Sequence, residues 1–195
     1  DDKGNFLKNA DGLNTYLAAK KEKLLFAMNA GIYQTNYVPL GLYIQEYKVR
    51  RKLNTRTGYG NFYLKPNGVF YITKDNKAEI KETASFKNNG KIKYATQSGP
   101  MLLTGGVINS QFTKNSKNLN IRNGVGIMPD GRVLFVISTA WVNFYDFARY
   151  FKDQGCKEAL YLDGAISAMY CPEKGMQQTG GDFAVLIGVS EAVKK

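Results

Sequence analysis

The stretch ALYLDGAISAMY, Ala159 to Tyr170, sets a lone carboxylate after an apolar run and follows it with small side chains. Asp163 ends what reads as a buried strand, where its charge is costly to desolvate unless a charged or hydrogen-bonding group meets it. Most of the sixteen acids sit in tails, turns or polar helix faces, where solvation explains them. Two others stand out: Asp182, after Gly180-Gly181, and Glu82 in IKETASF. A structural salt bridge and a working acid or base both account for Asp163, and the local pattern does not choose between them.

Three further stretches place polar residues and glycines at strand ends. FAMNAGIY puts Asn29 after an apolar run, ATQSGPML puts Gln97 and Ser98 before Gly99-Pro100, and NIRNGVGI puts Arg122 and Asn123 before Gly124 and Gly126. Amides and glycines belong in turns, so each stretch alone has an ordinary explanation. Together with Gly164 and Ser167 they hold what an anionic sugar site needs. Arg122 offers a planar fork for phosphate oxygens. The glycines let backbone N–H groups approach a ligand. Asn29, Gln97 and Ser167 can read hydroxyls.

Composition prunes the alternatives. The 195 residues contain no histidine, which removes Ser-His-Asp and Cys-His catalysis and imidazole metal sites. The two cysteines, Cys156 and Cys171, are too few for cysteine zinc; they are either two buried thiols or one disulfide. No ligand motif marks a cofactor, although a divalent cation bridging Asp163 and a phosphate is chemically compatible. The net charge of +11 suits anionic partners, but lysines such as Lys20, Lys48, Lys87 and Lys114 are scattered, and no nucleic-acid signature accompanies them. No apolar run approaches the roughly 20 residues of a membrane helix. The opening DDKGNFLKN has no signal-peptide character.

The elements that must position these residues follow from periodicity. DGLNTYLAAKKEK (11–23) reads as a surface helix ending in cations, and LLFAMNAGIY as a buried strand stopping at Gly31. LGLYIQEYKVRRKL turns near Glu46-Tyr47-Lys48. GNFYLKPNGVFYITK reads as a hairpin about Pro66-Asn67-Gly68, and GVGIMPDGRVLFVIS as another about Pro129-Asp130-Gly131. KYATQSGPMLL is a strand broken at Gly99-Pro100. NFYDFARYFKDQGC is a helix capped by Asn143 and ended by Gly155. ALYLDG and FAVLIGV supply the last strands. Strands and helices do not alternate, so the expected class is α+β: a single domain over 1–195 with a mixed, largely antiparallel β-sheet and few helices.

The blocks FAMNAGIY…PLGLYI, GNFYLKPNGVFYI, ATQSGPMLL, IRNGVGI and LYLDGAIS resemble, in order and spacing, those of the phosphodiester glycosidase family. The resemblance runs from about Leu24 to Val189 and is strongest to its bacterial branch. It implies hydrolysis of a sugar-1-phosphodiester to free sugar and a phosphomonoester. Two departures stand out. An animal member, which removes N-acetylglucosamine from a phosphodiester, is richer in glycine after Leu-Asp-Gly, where Ala165 and Ile166 stand here; this puts that sugar preference in doubt. Asp1 falls inside the family domain, which implies that one or two of the family's N-terminal strands lie outside this chain.

Such a reaction does not need histidine. Ordinary glycosidases use two carboxylates because an alkoxide leaves poorly. A phosphodiester leaves as a stabilised phosphate, so one placed carboxylate and an arginine suffice, each well-aimed group contributing about 3–4 kcal/mol. On this reading Asp163 is the general base or nucleophile. Arg122 clamps the phosphate with backbone N–H groups near Gly99 and Gly124, and Asn29, Gln97, Ser98, Asn123, Gly164 and Ser167 position the substrate. Glu82 and Asp182 are the candidates for a second carboxylate. The rivals are a phosphodiesterase cutting P–O and a non-catalytic envelope protein that binds anionic glycans. The resemblance places the protein in a secreted, periplasmic or cell-envelope space.

Overall fold

The computed structural model describes residues 5–193. Helix α1 (Ala10–Ala19) begins where the Asn9 side chain accepts the Gly12 amide. It stops short of the expected cationic end. Lys21 turns the chain with φ of 60°, and strand β1 (Glu22–Asn29) starts at once. Strands β2 (Tyr43–Gln45) and β3 (Lys48–Arg51) form the hairpin expected there, turning through Glu46 and Tyr47, both at positive φ.

Strands β4 (Gly68–Thr73) and β5 (Ala78–Glu82) pair with each other, and β4 pairs on its other side with β6 (Ile92–Ser98). The hairpin expected about Pro66-Asn67-Gly68 is therefore absent. Asn61–Tyr63 is a single 3-10 turn with Phe62 buried, and the Asn67 amide donates to the Phe62 carbonyl at 2.9 Å. The aromatic and aliphatic residues before Pro66 pack this turn and do not form a strand.

After Gly99-Pro100 the chain changes sheets through β7 (Met101–Thr104) and β8 (Val107–Ile108). Strands β9 (Asn123–Ile127) and β10 (Val133–Ile137) form the second expected hairpin, with Gly131 at φ 86°. Helix α2 (Phe144–Asp153) is capped by Asn143 and followed by β11 (Glu158–Tyr161). Strands β12 (Met169–Cys171), β13 (Met176–Gln177) and β14 (Leu186–Ala192) finish the described chain, β14 beginning three residues later than the FAVLIGV run.

The orders are β13-β12-β1-β14, β10-β9-β11-β7-β8 and β3-β2-β6-β4-β5, with antiparallel pairing throughout these ladders. Among the described residues two α-helices and three sheets make an α+β fold. The three sheets meet on one core, to which Met28, Phe70, Met101, Val125, Leu160 and Leu162 contribute. Period-two alternation sends Val69 and Tyr71 to the other face of β4, against Phe86 and Ile92. Helix α2 covers the second sheet with Phe147 and Phe151. Cys156 is buried beside Met128 and Cys171 lies in a different packing cluster, so both are free thiols and the alternative of a disulfide falls.

Candidate functional site

Asp163 directly follows β11, and its main chain is clamped on both sides. Its amide donates to the Ala30 carbonyl at 2.8 Å, and its carbonyl accepts the Asn29 side-chain amide at 2.5 Å. The Asn29 side-chain oxygen accepts from both Asn123 Nδ2 and the Ala168 amide at 2.9 Å. Asn123 Nδ2 also reaches the Asn29 carbonyl, and the Leu162 amide donates to the Asn123 carbonyl. Two asparagines that are at most 1% exposed thus tie the ends of β1, β9 and β11 together. A buried amide without partners would be costly, so this lock holds only in one arrangement. Behind Asp163, Gly164–Ile166 form a 3-10 turn closed by Ser167 Oγ on the Gly164 carbonyl at 3.1 Å.

Arg122 departs from its expected role as an open phosphate clamp. It is 1% exposed. Nε donates to the Val142 carbonyl at 2.9 Å and Nη2 to the Asn118 carbonyl at 3.0 Å. The guanidinium lies 3.7 Å from the Phe144 ring centroid and faces Tyr161. Burial lowers its pKa, which Tyr161 opposes. Burial raises the Tyr161 phenol, Arg122 eases this and Asp163 adds to it, so the phenol senses both the cation and the acid. Its hydroxyl packs so closely on Gly164 that a Cβ there would lie 2.0 Å away. Arg122 therefore faces Tyr161, whose hydroxyl abuts the residue that follows Asp163.

Other expected site residues have structural work instead. Gln97 Oε1 accepts the Leu42 and Asn54 amides at 2.9 Å, while Nε2 donates to the Asn54 carbonyl and Thr83 Oγ1. All four of its hydrogen-bonding positions face protein, which corrects its reading as a hydroxyl reader. Gly99 packs on the 3-10 turn, where a Cβ would lie 2.8 Å from the Phe62 carbonyl. Gly124 sits in the ladder between β10 and β11 with Phe147 over it, so it makes room for α2 and does not present its amide to a ligand. Ser98 Oγ and Asn123 Oδ1 are buried without a hydrogen-bond partner among the described residues. Glu82 keeps company with Glu158, at the start of β11 and so at the other end of that strand from Asp163. Burial pushes the Glu158 carboxyl up, and the Gly105 amide partly offsets this.

Asp182 does come to the same side. A cleft of about 760 Å³ is lined by Tyr33, Tyr37, Ser167, Gln178, Asp182 and Phe183, among others, a size ordinary for small-molecule sites. The Tyr33 hydroxyl donates to the Asp182 carbonyl and that of Tyr37 to its carboxylate. Lys8 Nζ lies 3.4 Å from the same carboxylate. The Tyr37 hydroxyl, then Lys8, holds the Asp182 carboxyl below the usual carboxylate range, although burial opposes this. Burial, then Asp163 and Asp182, pushes Tyr33 up to about 12. A single phenol at the cleft wall thus feels both acids and stays protonated. Tyr33, Tyr37, Lys8 and Tyr161 were missed in the sequence. The only signal was the pair of tyrosines in GIYQTNYVP between a glycine and a proline. Among the described residues no three His, Cys, Asp or Glu side chains gather as a metal centre.

Comparison with known proteins adds the following. The profile of the phosphodiester glycosidase family matches residues 22–187. The uncharacterized protein YigE of Escherichia coli K12 is 44% identical over 164 residues, covering 84% of this chain and 64% of YigE. The chain thus spans a little under two thirds of that relative. The zebrafish N-acetylglucosamine-1-phosphodiester alpha-N-acetylglucosaminidase catalytic domain, auto-inhibited by its pro-peptide, superposes with a TM-score of 0.58 at 17% identity, over 96% of this chain and 67% of that one. A hypothetical protein from Synechocystis gives 0.50 at 12% identity, over 91% and 52%. These two likenesses show a shared fold.

Proposed function

Since this chain belongs to the phosphodiester glycosidase family, we propose that it hydrolyses the glycosidic C–O bond of a sugar-1-phosphodiester. The supporting observation is Asp163, its main chain fixed by Asn29 and Ala30 and its charge felt by Tyr33 at the wall of the cleft. Aromatic, amide and hydroxyl groups line that cleft, the mixture that binds a sugar face and its hydroxyls. Water, or Asp163 itself, forms the new bond to the anomeric carbon. The C1–O bond breaks with its electron pair on the phosphate oxygen, which needs little protonation. If water attacks, Asp163 accepts its proton. If Asp163 attacks, water hydrolyses the glycosyl intermediate in a second step. The Tyr33 hydroxyl, which donates to the Asp182 carbonyl, offers its oxygen as an acceptor for a sugar hydroxyl, while Asp182, tied to Tyr37 and Lys8, shapes the rim. Arg122 acts through Tyr161 as a positioning residue.

Hydrolysis of a sugar-1-phosphodiester in isotopically labelled water tests the bond. Label in the released sugar is expected; label in the phosphate would show P–O cleavage. Asp163→Asn is expected to lose at least 100-fold in turnover with the melting temperature retained, the size of effect seen when one positioned acid–base group is removed. An Asn variant with full rate would exclude Asp163.

A further inference from the structure

The positive charge is not evenly spread. Between Glu46 and Asp75 the chain has no acid, and Lys48, Arg50, Arg51, Lys52 and Arg56 follow one another there, with Lys65 and Lys74 beyond. The scatter of the lysines hides this run because three of its five cations are arginine. These cations occupy β3, the outer strand of its sheet, and the loop after it. All of β3 is exposed, as are Lys52 and Arg56. None of the five joins an ion pair among the described residues, whereas Lys8, Lys81, Arg132 and Arg149 each do. Tyr47, Val49 and Tyr59 are exposed in the same segment, Tyr59 completely.

The strip is joined to the cleft. A register shift opposite Tyr43–Ile44 breaks the alternation of β3, and Arg51 pairs with Tyr43 while the Arg50 charge reaches the Tyr43 phenol. The Asn54 side chain holds the Leu40 carbonyl at 2.8 Å, the Leu40 amide holds the Ile32 carbonyl at 3.0 Å, and Tyr33 bridges Pro39. One continuous, hydrogen-bonded segment therefore leads from the cleft tyrosine to the cations. Protection of an edge strand from pairing explains a lysine or two on β3. It does not explain the continuation to Arg56 or the lack of any acid.

We infer that β3 and the loop to Arg56 form a second binding site, outside the cleft, for successive phosphates of a polymeric sugar phosphodiester. This rests on the glycosidase reading of the cleft and names its substrate as a chain. A single diester carries one charge and engages one or two cations. A linear polyanion engages the whole strip, and the gain grows with the number of counterions released even though each exposed contact is individually weak. A ligand that spans strip and cleft must carry both the charge the strip selects and the sugar phosphate the cleft takes. Single-stranded RNA and anionic bilayers match only the first.

The test uses fluorescein-labelled hexose-1-phosphate oligomers of two, six and twelve units, with binding read by anisotropy and hydrolysis separately by released sugar. The protein is expected to bind the twelve-mer at least tenfold more tightly than the two-mer. With four phosphate contacts, a fourfold rise in salt is expected to weaken the twelve-mer by about 50-fold. Arg50→Ser with Arg51→Ser and Arg56→Ser, three exposed sites, is expected to abolish the length dependence while leaving turnover of the two-mer and the melting temperature unchanged. A variant that keeps the length dependence overturns the strip, as does its loss of two-mer turnover. RNA of equal charge, or phosphatidylglycerol vesicles, binding as tightly as the twelve-mer overturns the ligand class. Length-dependent binding without hydrolysis overturns the glycosidase reading alone, and hydrolysis without length preference overturns the strip alone.

Discussion

Replacing Asn29 with alanine separates the positioning of Asp163 from the stability of the fold. The change removes three hydrogen bonds: to the Asp163 carbonyl, from Asn123 Nδ2 and from the Ala168 amide. Asn123 Nδ2 keeps the Asn29 main-chain carbonyl, so the two groups left without that partner are the Asp163 carbonyl and the Ala168 amide. A buried orphan costs about 1–3 kcal/mol. Both groups are only part-buried, so the lower half of the range applies, and the total is about 2–4 kcal/mol. For a chain of this size that is a fall in Tm of about 10 °C. The Asp163 main chain then keeps its Ala30 bond but loses the clamp on its carbonyl, and a shift of about 1 Å at a reacting group costs on the order of 100-fold in rate.

The control is Gln97→Ala, which removes four hydrogen bonds from a side chain equally buried. It is expected to lower Tm at least as much while leaving kcat/KM per folded molecule within about threefold. Thermal melts followed by circular dichroism, with kinetics well below both midpoints, read the two effects. If the Asn29 variant is destabilised yet turns over normally, the amide lock does not position Asp163. If Gln97→Ala raises KM with Tm intact, Gln97 touches substrate after all.

Two further outcomes follow from the same geometry. Gly164→Ala would bring its Cβ within 2.0 Å of the hydroxyl of Tyr161, whose ring packs against Arg122 and Phe144, so the turn carrying Asp163 must move and turnover should fall. Adding Tyr161→Phe leaves a ring carbon at 2.6 Å, so rescue should be partial; full activity of Gly164→Ala alone would show that the turn can shift freely. The second outcome concerns pH. Because the folded Asp182 carboxyl titrates below its ordinary value, its stabilising effect is complete above the unfolded value near 4 and is lost as pH falls through the lower folded value. The Tm gap between the protein and Asp182→Asn should therefore be full at pH 6 and close in acid, and a gap that widens in acid would reverse the assigned sign.

Much of the fold was legible because its signals were local. Pro129-Asp130-Gly131 announces a turn by itself, and α2 carries its cap, its apolar stripe and its terminal glycine within one short stretch. The turn at Asn61–Tyr63 looks like a strand in the sequence because one buried aromatic among aromatic and aliphatic neighbours reads the same in a strand and in a turn packed beneath one. At the site, Asp163 stood out because a charge after an apolar run has few inexpensive explanations. Arg122 and Gln97 stand out as polar residues before glycines at strand ends, yet both meet their partners inside the protein. Burial of a polar group signals that a partner exists and does not say which. Tyr33, Tyr37 and Lys8 were invisible because what unites them is Asp182, far away along the chain. Gly124 had two readings, ligand approach and helix packing, and only the position of Phe147 separates them.

Strand β1 pairs on one side with β12 and on the other with β14, and its last residue is Asn29. Side chains on a strand alternate, so sliding β1 by a single position would turn that amide away from Asn123 and Asp163. A molecule zipped up one notch wrong could look well folded by its overall shape and still be inert. Under the proposed glycosidase reading, turnover would therefore double as a proofreader of alignment, reporting on the one strand through which both neighbours must agree.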